Sequence, residues 1–168
     1  MKSKLRQTLK LTVAAVLAAT AVSATTQTAA TAAEQEPATM HCVVVLAKIQ
    51  PGEKFSREIS RRCSTSPAGV QKSAALINLA TLYTDADFKG YSWTFQGAEP
   101  CDAAGYGWRE IDWGIDNDAS SLRVYNNCRW SKMYDEVNYG GDYKAGVDDY
   151  AFIGHEMNDR ISSLIVHA

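Results

Sequence analysis

Two short stretches of oxygen-bearing side chains are the residues in this sequence best suited to chemistry. Asp116-Asn117-Asp118-Ala119-Ser120-Ser121 leads into Leu122-Arg123-Val124, and Asn158-Asp159-Arg160-Ile161-Ser162-Ser163 leads into Leu164-Ile165-Val166. Both read Asx-Asx-x-x-Ser-Ser ahead of an alternating strand. Carboxylate, amide, hydroxyl and turn carbonyl groups offer a cation only oxygen. That suits a hard ion such as Ca²⁺, which takes about six to eight oxygens at roughly 2.3–2.6 Å. A single copy would carry little weight, because Asn, Asp and Ser collect in turns and bond local backbone amides there. Two copies in the same order carry more.

Other chemistries find little support. His155-Glu156 begins like a zinc-protease motif, but the second histidine it requires would stand at Asp159. His41 and His167 lie at opposite ends of the domain. No Gly-x-Ser-x-Gly elbow occurs, and a non-enzymatic protein is expected. The four tryptophans could form a carbohydrate-binding face, but packing is favoured: Trp93 belongs in the core by its place in an alternating strand, and Trp108, Trp113 and Trp130 are expected to cover the core or the loop near Cys101.

The elements that position the two stretches show the same duplication. Tyr83-Thr84-Asp85-Ala86-Asp87-Phe88-Lys89-Gly90 and Tyr134-Asp135-Glu136-Val137-Asn138-Tyr139-Gly140-Gly141 share one spacing: aromatic, four residues, aromatic, one residue, glycine. A folded hairpin needs a glycine where φ turns positive, and two aromatics can clamp over that corner. Each hairpin precedes its own Asx-Asx-x-x-Ser-Ser stretch, which makes a genuine internal repeat. Strands are predicted around Ile77, Leu79 and Tyr83, and around Tyr91, Trp93 and Phe95, which alternate with Ser92, Thr94 and Gln96 as a half-buried strand does. Further strands start at Met133-Tyr134 and close on Leu164 and Val166. Upstream, Cys42 to Ile49 reads as a buried strand and Gln50-Pro51-Gly52-Glu53 as a turn. In Phe55 to Cys63 the residues Phe55, Ile59 and Cys63 fit a helical face while Phe55, Arg57, Ile59 and Arg61 fit alternation, and a second strand paired to the first is favoured. Residues 64–75 form a linker with one short helical turn near Ala68 to Ala75.

With both hairpins and both Asx motifs in place, residues 79–166 resemble a two-motif βγ-crystallin domain. The resemblance implies an all-β fold of two Greek keys packed as a sandwich of two four-stranded sheets, with one strand exchanged between motifs. The N-terminal part stands outside it as a disulfide-linked extension. It also implies two Ca²⁺ sites, each clamped by both motifs. One would use the Ser120 hydroxyl, the Asp118 carbonyl, the Asp159 side chain and a hairpin carbonyl near Ala86. The other would use the Ser162 hydroxyl, the Arg160 carbonyl, the Asn117 side chain and a carbonyl near Val137. Asp159 brings a full charge where Asn117 brings a dipole, and Arg160 adds a positive side chain nearby, so the Ser120 site is expected to be the tighter.

The ends and the composition set the context. Lys2, Lys4, Arg6 and Lys10 precede an apolar run from Leu11 to Val22 and then small residues, as in an export signal. The run is too short to span a bilayer. Three segments are therefore expected: 1–33 as signal and cleavage region, 34–75 as the extension, and 76–168 as the crystallin-like domain. Loss of those four basic residues leaves 13 Lys and Arg against 19 Asp and Glu, a net charge of −6. Such a chain suits neither nucleic acid nor an anionic membrane, and a secreted monomer is expected. Four cysteines in an exported chain read as disulfides with three possible connectivities. Cys42–Cys63 and Cys101–Cys128 are favoured because each closes a short loop. The leading function is ion-dependent stabilisation of a secreted domain. A second is inhibition of a secreted protease, since some bacterial metalloproteinase inhibitors resemble this fold; loop 97–112, tethered by Cys101, would then be presented. A toxin-like or antimicrobial role is a third.

Overall fold

The computed structural model describes residues 40–70, 75–111 and 114–168; the signal and cleavage region expected over 1–33, and Trp113, lie outside them. Among the described residues nine strands follow in order: β1 (His41–Leu46), β2 (Glu58–Ser64), β3 (Ile77–Asp85), β4 (Lys89–Gly97), β5 (Tyr106–Trp108), β6 (Ser121–Val124), β7 (Trp130–Glu136), β8 (Gly140–Val147) and β9 (Ser163–His167). They form a five-stranded sheet in the order β2-β1-β4-β3-β6 and a four-stranded sheet in the order β5-β9-β7-β8.

Each Greek key gives its third strand to the other's sheet. β3, β4 and β6 of the first motif stay together, while β5 crosses to pair antiparallel with β9. In the second motif β7, β8 and β9 stay together. Its third strand is reduced to one bridge, where Tyr150 exchanges both backbone hydrogen bonds with Leu122 (2.8 and 3.0 Å). The ladder stops there because the Asp149 carboxylate accepts from Val124 N–H at 2.8 Å. The expected pair of four-stranded sheets is thus corrected at two places, by this shortened strand and by the addition of β1 and β2.

β1 lies parallel to β4 and antiparallel to β2, with Cys42 directly opposite Cys63. The favoured disulfides form: Cys42–Cys63 across that strand pair, and Cys101–Cys128 across the first Greek key. β1 stops at Leu46, short of the expected Ile49, and a turn follows in which Glu53 N–H donates to the Gln50 carbonyl with Gly52 at φ +88°. β2 starts at Glu58, later than the expected Phe55. In the linker only Pro67–Gly69 is helical, as a single 3-10 turn; residues 71–74 lie outside the described residues.

The alternating residues of both sheets meet in one core, with Leu79, Leu82, Leu122, Met133, Ile153 and Ile161 fully buried. Trp93 and Phe95 join it from β4, and Phe95 meets Trp108 edge-on at 4.3 Å. β4 departs from the half-buried expectation, because Ser92 and Gln96 on its other face are buried as well. They are satisfied laterally: Ser92 by His41 at 2.8 Å, Gln96 by Asn78 at 2.9 Å. The second motif is packed differently. Counting from the shared hairpin glycine, Lys144 and Gly146 stand where the first motif has Trp93 and Phe95, and no residue of β8 is buried. Beneath it lies an open cleft of about 490 Å³, lined by Lys144, Glu156, Met157 and Arg160 among others.

Replacing Cys42 and Cys63 together by serine should lower unfolding stability by about 3 kcal/mol, the loop-closure value for a bridge of this span. Urea denaturation checks this; an unchanged midpoint would mean that β1 and β2 are held without the bridge.

Candidate functional site

The two hairpin corners are built alike, and the reason is local. Asp87 and Phe88 in the first, and Asn138 and Tyr139 in the second, all have φ between 59° and 63°, followed by Gly90 at φ +77° and Gly141 at φ +70°. A Cβ on either glycine would run into the Thr84 hydroxyl or the Asp135 carboxylate, so the glycine of the repeat is required on two counts. The aromatic clamp forms in both copies, Tyr83 with Phe88 at 5.8 Å and Tyr134 with Tyr139 at 5.2 Å.

The last serine of each Asx motif anchors its own hairpin. Ser121 Oγ donates to the Asp85 carbonyl (2.6 Å) and accepts from Phe88 N–H (3.1 Å). Ser163 Oγ donates to the Glu136 carbonyl (2.6 Å) and accepts from Tyr139 N–H (3.0 Å). Both serines are fully buried. This bond fixes where the preceding serine, Ser120 or Ser162, can point.

Those preceding serines face across the molecule. Ser120 Oγ lies 3.3 Å from Asp159 Oδ1, and Ser162 Oγ lies 3.4 Å from Asn117 Oδ1. The two motifs also cross through the backbone: Asn117 N–H donates to the Ile161 carbonyl (3.3 Å) and Asp159 N–H to the Ala119 carbonyl (3.1 Å). Asn117 and Asp159 both sit at positive φ (57° and 55°), a conformation that short Asx side chains tolerate. The structure therefore brings Ser120 to Asp159 and Ser162 to Asn117. Asp118 and Arg160 occupy matching turn positions between them. Ala86 and Val137 open the two hairpin turns, and the Val137 carbonyl accepts from Gly140 N–H.

Electrostatics separate the two sites. Around Ser120, partial desolvation first, and then the carboxylates of Asp159 and Asp85, raise the pKa of Asp118 from its ordinary value. Around Ser162 the matching position is Arg160. Its guanidinium turns away to Asp135 (2.5 Å) and the Glu156 carbonyl (2.7 Å). The Ser162 hydroxyl instead donates to Asp116 Oδ1 at 2.6 Å. Three residues were thus missed by the family pattern: the Asp85 and Asp118 side chains and Asp116. Asp116 had a signal, since the first position of the motif is Asx in both copies. On the far side, Asn158 Oδ1 is buried and without a partner, an amide oxygen with unused acceptor capacity. Among the described residues no three His, Cys, Asp or Glu side chains converge as a metal centre. The oxygen set here consists of hydroxyl, amide, carbonyl and carboxylate groups, with no thiolate or imidazole; that composition fits Ca²⁺ rather than zinc.

The histidines do not come together. His155 packs on Phe152, His167 on Trp130, and His41 on Ser92. Loop 97–112 is less exposed than a presented loop should be. Cys101, Tyr106, Trp108 and Ile111 are buried, and β5 runs through it. Among its described residues Ala98–Pro100, Asp102–Ala104, Arg109 and Glu110 face solvent. This stretch is tied down by the disulfide, by Lys48 bridging Glu99 (3.0 Å) and Asp102 (2.8 Å), and by Asp102 capping Ala104 and Gly105 N–H.

Residues 82–146 match the family model of peptidase inhibitor family I36. No curated protein matches the chain. Among solved structures, the chain is similar to a βγ-crystallin domain from Flavobacterium johnsoniae at 22% identity, covering 54% of this chain and 94% of that one, with a TM-score of 0.42. A βγ-crystallin domain from Clostridium beijerinckii gives 18% identity, 53% and 97% coverage and a TM-score of 0.41. An archaeal βγ-crystallin gives 20%, 53% and 96%, and 0.40. The exchanged third strands and the paired hairpins make the fold of this chain βγ-crystallin-like, with a disulfide-linked strand pair added to one sheet.

The Asp118 environment makes a prediction in metal-free buffer. The folded state holds this proton more tightly than the unfolded chain, so ionisation of Asp118 weakens the fold as pH rises through the carboxylate range. Asp118→Asn should raise the melting temperature at pH 7, and the gain should vanish as pH falls below that range. Melting curves of both proteins from pH 3 to 8 in chelator test this; a gain independent of pH would put its cause elsewhere.

Proposed function

We propose that this chain is an exported, non-enzymatic domain that binds Ca²⁺ at two crossed sites, each ion stiffening the join between its Greek keys. The observation that carries this reading is the approach of each motif's serine hydroxyl to the other motif's Asx side chain, at 3.3 and 3.4 Å. One ion would be held by the Ser120 hydroxyl, the Asp118 carbonyl, the Asp159 side chain and a carbonyl near Ala86. The other would be held by the Ser162 hydroxyl, the Arg160 carbonyl, the Asn117 side chain and a carbonyl near Val137. Bound there, Ca²⁺ supplies positive charge where carboxylates crowd, and a ligand shell shared by both halves. Asp85, Asp118 and Asp159 give the Ser120 site the larger negative charge; at the Ser162 site Asp116 stands against Arg160. The Ser120 site is the tighter on this count. All four cysteines of the sequence are in disulfides, which suits an oxidising compartment and supports the reading of the N-terminus as an export signal.

An ion at 100 times its dissociation constant adds about 2.7 kcal/mol per site. For a domain of this size that is a rise in melting temperature of roughly 10 °C. Millimolar Ca²⁺ should produce such a shift over chelator, and calorimetry should show Ser120→Ala removing the tighter event and Ser162→Ala the weaker. No shift at millimolar Ca²⁺ would end this reading; the opposite order of affinities would end the ranking.

The match over residues 82–146 favours a second reading, a protease inhibitor. Its presented segment would be 98–104, exposed on both sides of the buried Cys101 and shorter than the loop expected from sequence. A stretch already tied down loses little freedom on docking. Assays against secreted metallo- and serine proteases should then find slow, tight inhibition weakened by Glu99→Ala and Pro100→Gly. Absence of inhibition across the panel would leave the ion-binding reading alone.

A further inference from the structure

The outer face of the four-stranded sheet carries a row of rings that extends well beyond the Tyr134–Tyr139 hairpin clamp. β7 buries Ser131 and Met133, which turns Trp130, Lys132 and Tyr134 outward. Tyr134 stands opposite Tyr143 of β8, and Trp130 stands between His167 of β9 and Val147 of β8. The rings form a continuous series: Phe55 to Tyr139 at 4.7 Å, Tyr139 to Tyr134 at 5.2 Å, Tyr134 to Tyr143 at 5.8 Å. Further along the same face Trp130 stacks on His167 at 6.3 Å, with the planes 5° apart. Tyr143 is 58% exposed, and Trp130 and Val147 are 47% exposed each.

Cations are set among these rings. Lys132 Nζ lies 3.5 Å from the centre of Tyr143 and 5.0 Å from that of Tyr134; Lys54 lies over Phe55 and Tyr139; Arg109 lies over Phe55 at 5.6 Å. Among the described residues none of these three has a carboxylate partner, as is also true of Arg57, Arg62, Lys89 and Lys144, whereas Lys48, Arg61, Arg123, Arg129 and Arg160 each do. A chain in which acids outnumber bases thus places three cations without carboxylates, together with its most exposed aromatics, on one sheet face.

We propose that this face binds an acidic polysaccharide. A pyranose ring presents C–H groups to an aromatic face, and its hydroxyl and carboxylate groups reach the flanking cations. A folded protein partner draws its affinity from a side chain packed into a central pocket. Here the rings stand side by side along the strands with a lysine between them, which matches an extended chain of sugar faces and regularly spaced charges.

Affinity electrophoresis in chelator, through gels containing hyaluronan, neutral dextran or poly-glutamate, tests this. Hyaluronan should retard the protein and dextran should not. Trp130→Ala and Tyr143→Ala should each weaken binding by up to about tenfold. Lys132→Gln, which leaves the rings in place, should weaken it and flatten its dependence on salt. Melting curves establish that each variant is folded. No retardation by hyaluronan, equal retardation by dextran, binding to poly-glutamate as tight as to hyaluronan, or folded ring variants that bind like the parent protein would each overturn the proposal.

Discussion

Two backbone hydrogen bonds run in opposite directions between the halves of this domain, from Asn117 N–H to the Ile161 carbonyl and from Asp159 N–H to the Ala119 carbonyl. Each donor sits at positive φ, and each acceptor belongs to a fully buried apolar residue. The apolar side chain locks the carbonyl in place, and the left-handed Asx residue swings over to meet it. Its side chain is thereby carried to the other motif's serine. The crossed arrangement of oxygens is a by-product of how the Greek keys are joined. Anything bound by those oxygens is coupled to the join itself.

Duplication has been followed by divergence in both charge and packing. The first motif keeps Trp93 and Phe95 in the core and gathers Asp85, Asp118 and Asp159 around its serine. The second has Lys144 and Gly146 at the matching core positions, and Arg160 where the first has Asp118. Arg160 is accommodated by Asp135, itself at the position of Thr84, so the two changes compensate each other. The backbone skeleton of corner, serine anchor and crossing bond is kept in both halves. Side chains beyond it vary freely, which is what a fold held by local turn constraints permits.

That division also explains what could be read from the residues alone. The corners, the motifs and most of the strands were legible because each rests on a constraint within eight residues: a glycine at positive φ, a clamped ring, a serine after two Asx positions; β5 and β8 were not, since Tyr106–Trp108 is short and Gly140–Val147 has no alternating apolar face. Both disulfides followed from short loops. The parallel pairing of β1 with β4 left no such mark. His41 and Ser92 are 51 residues apart, and a parallel neighbour needs no turn between them. Phe55 gave a mixed signal because it serves the ring series against Tyr139 rather than a strand. The shortened third strand of the second motif depends on one side chain, Asp149, taking the place of a ladder carbonyl; no periodicity announces that.

The bare inner face of β8 has a dynamic consequence. A strand with no buried residue, at the free edge of its sheet, is held chiefly by the backbone ladder to β7 and can peel away while β5, β9 and β7 remain packed. Its counterpart β4 is gripped between two neighbours and plugged by two aromatic rings, so it can leave only if the whole domain does. Amide protons along Gly140–Val147 would therefore exchange through a fast, partial opening, and those of β4 only through global unfolding. Two copies of one hairpin thus differ in how firmly their second strands are held, one at a bare edge and one inside the packed sheet.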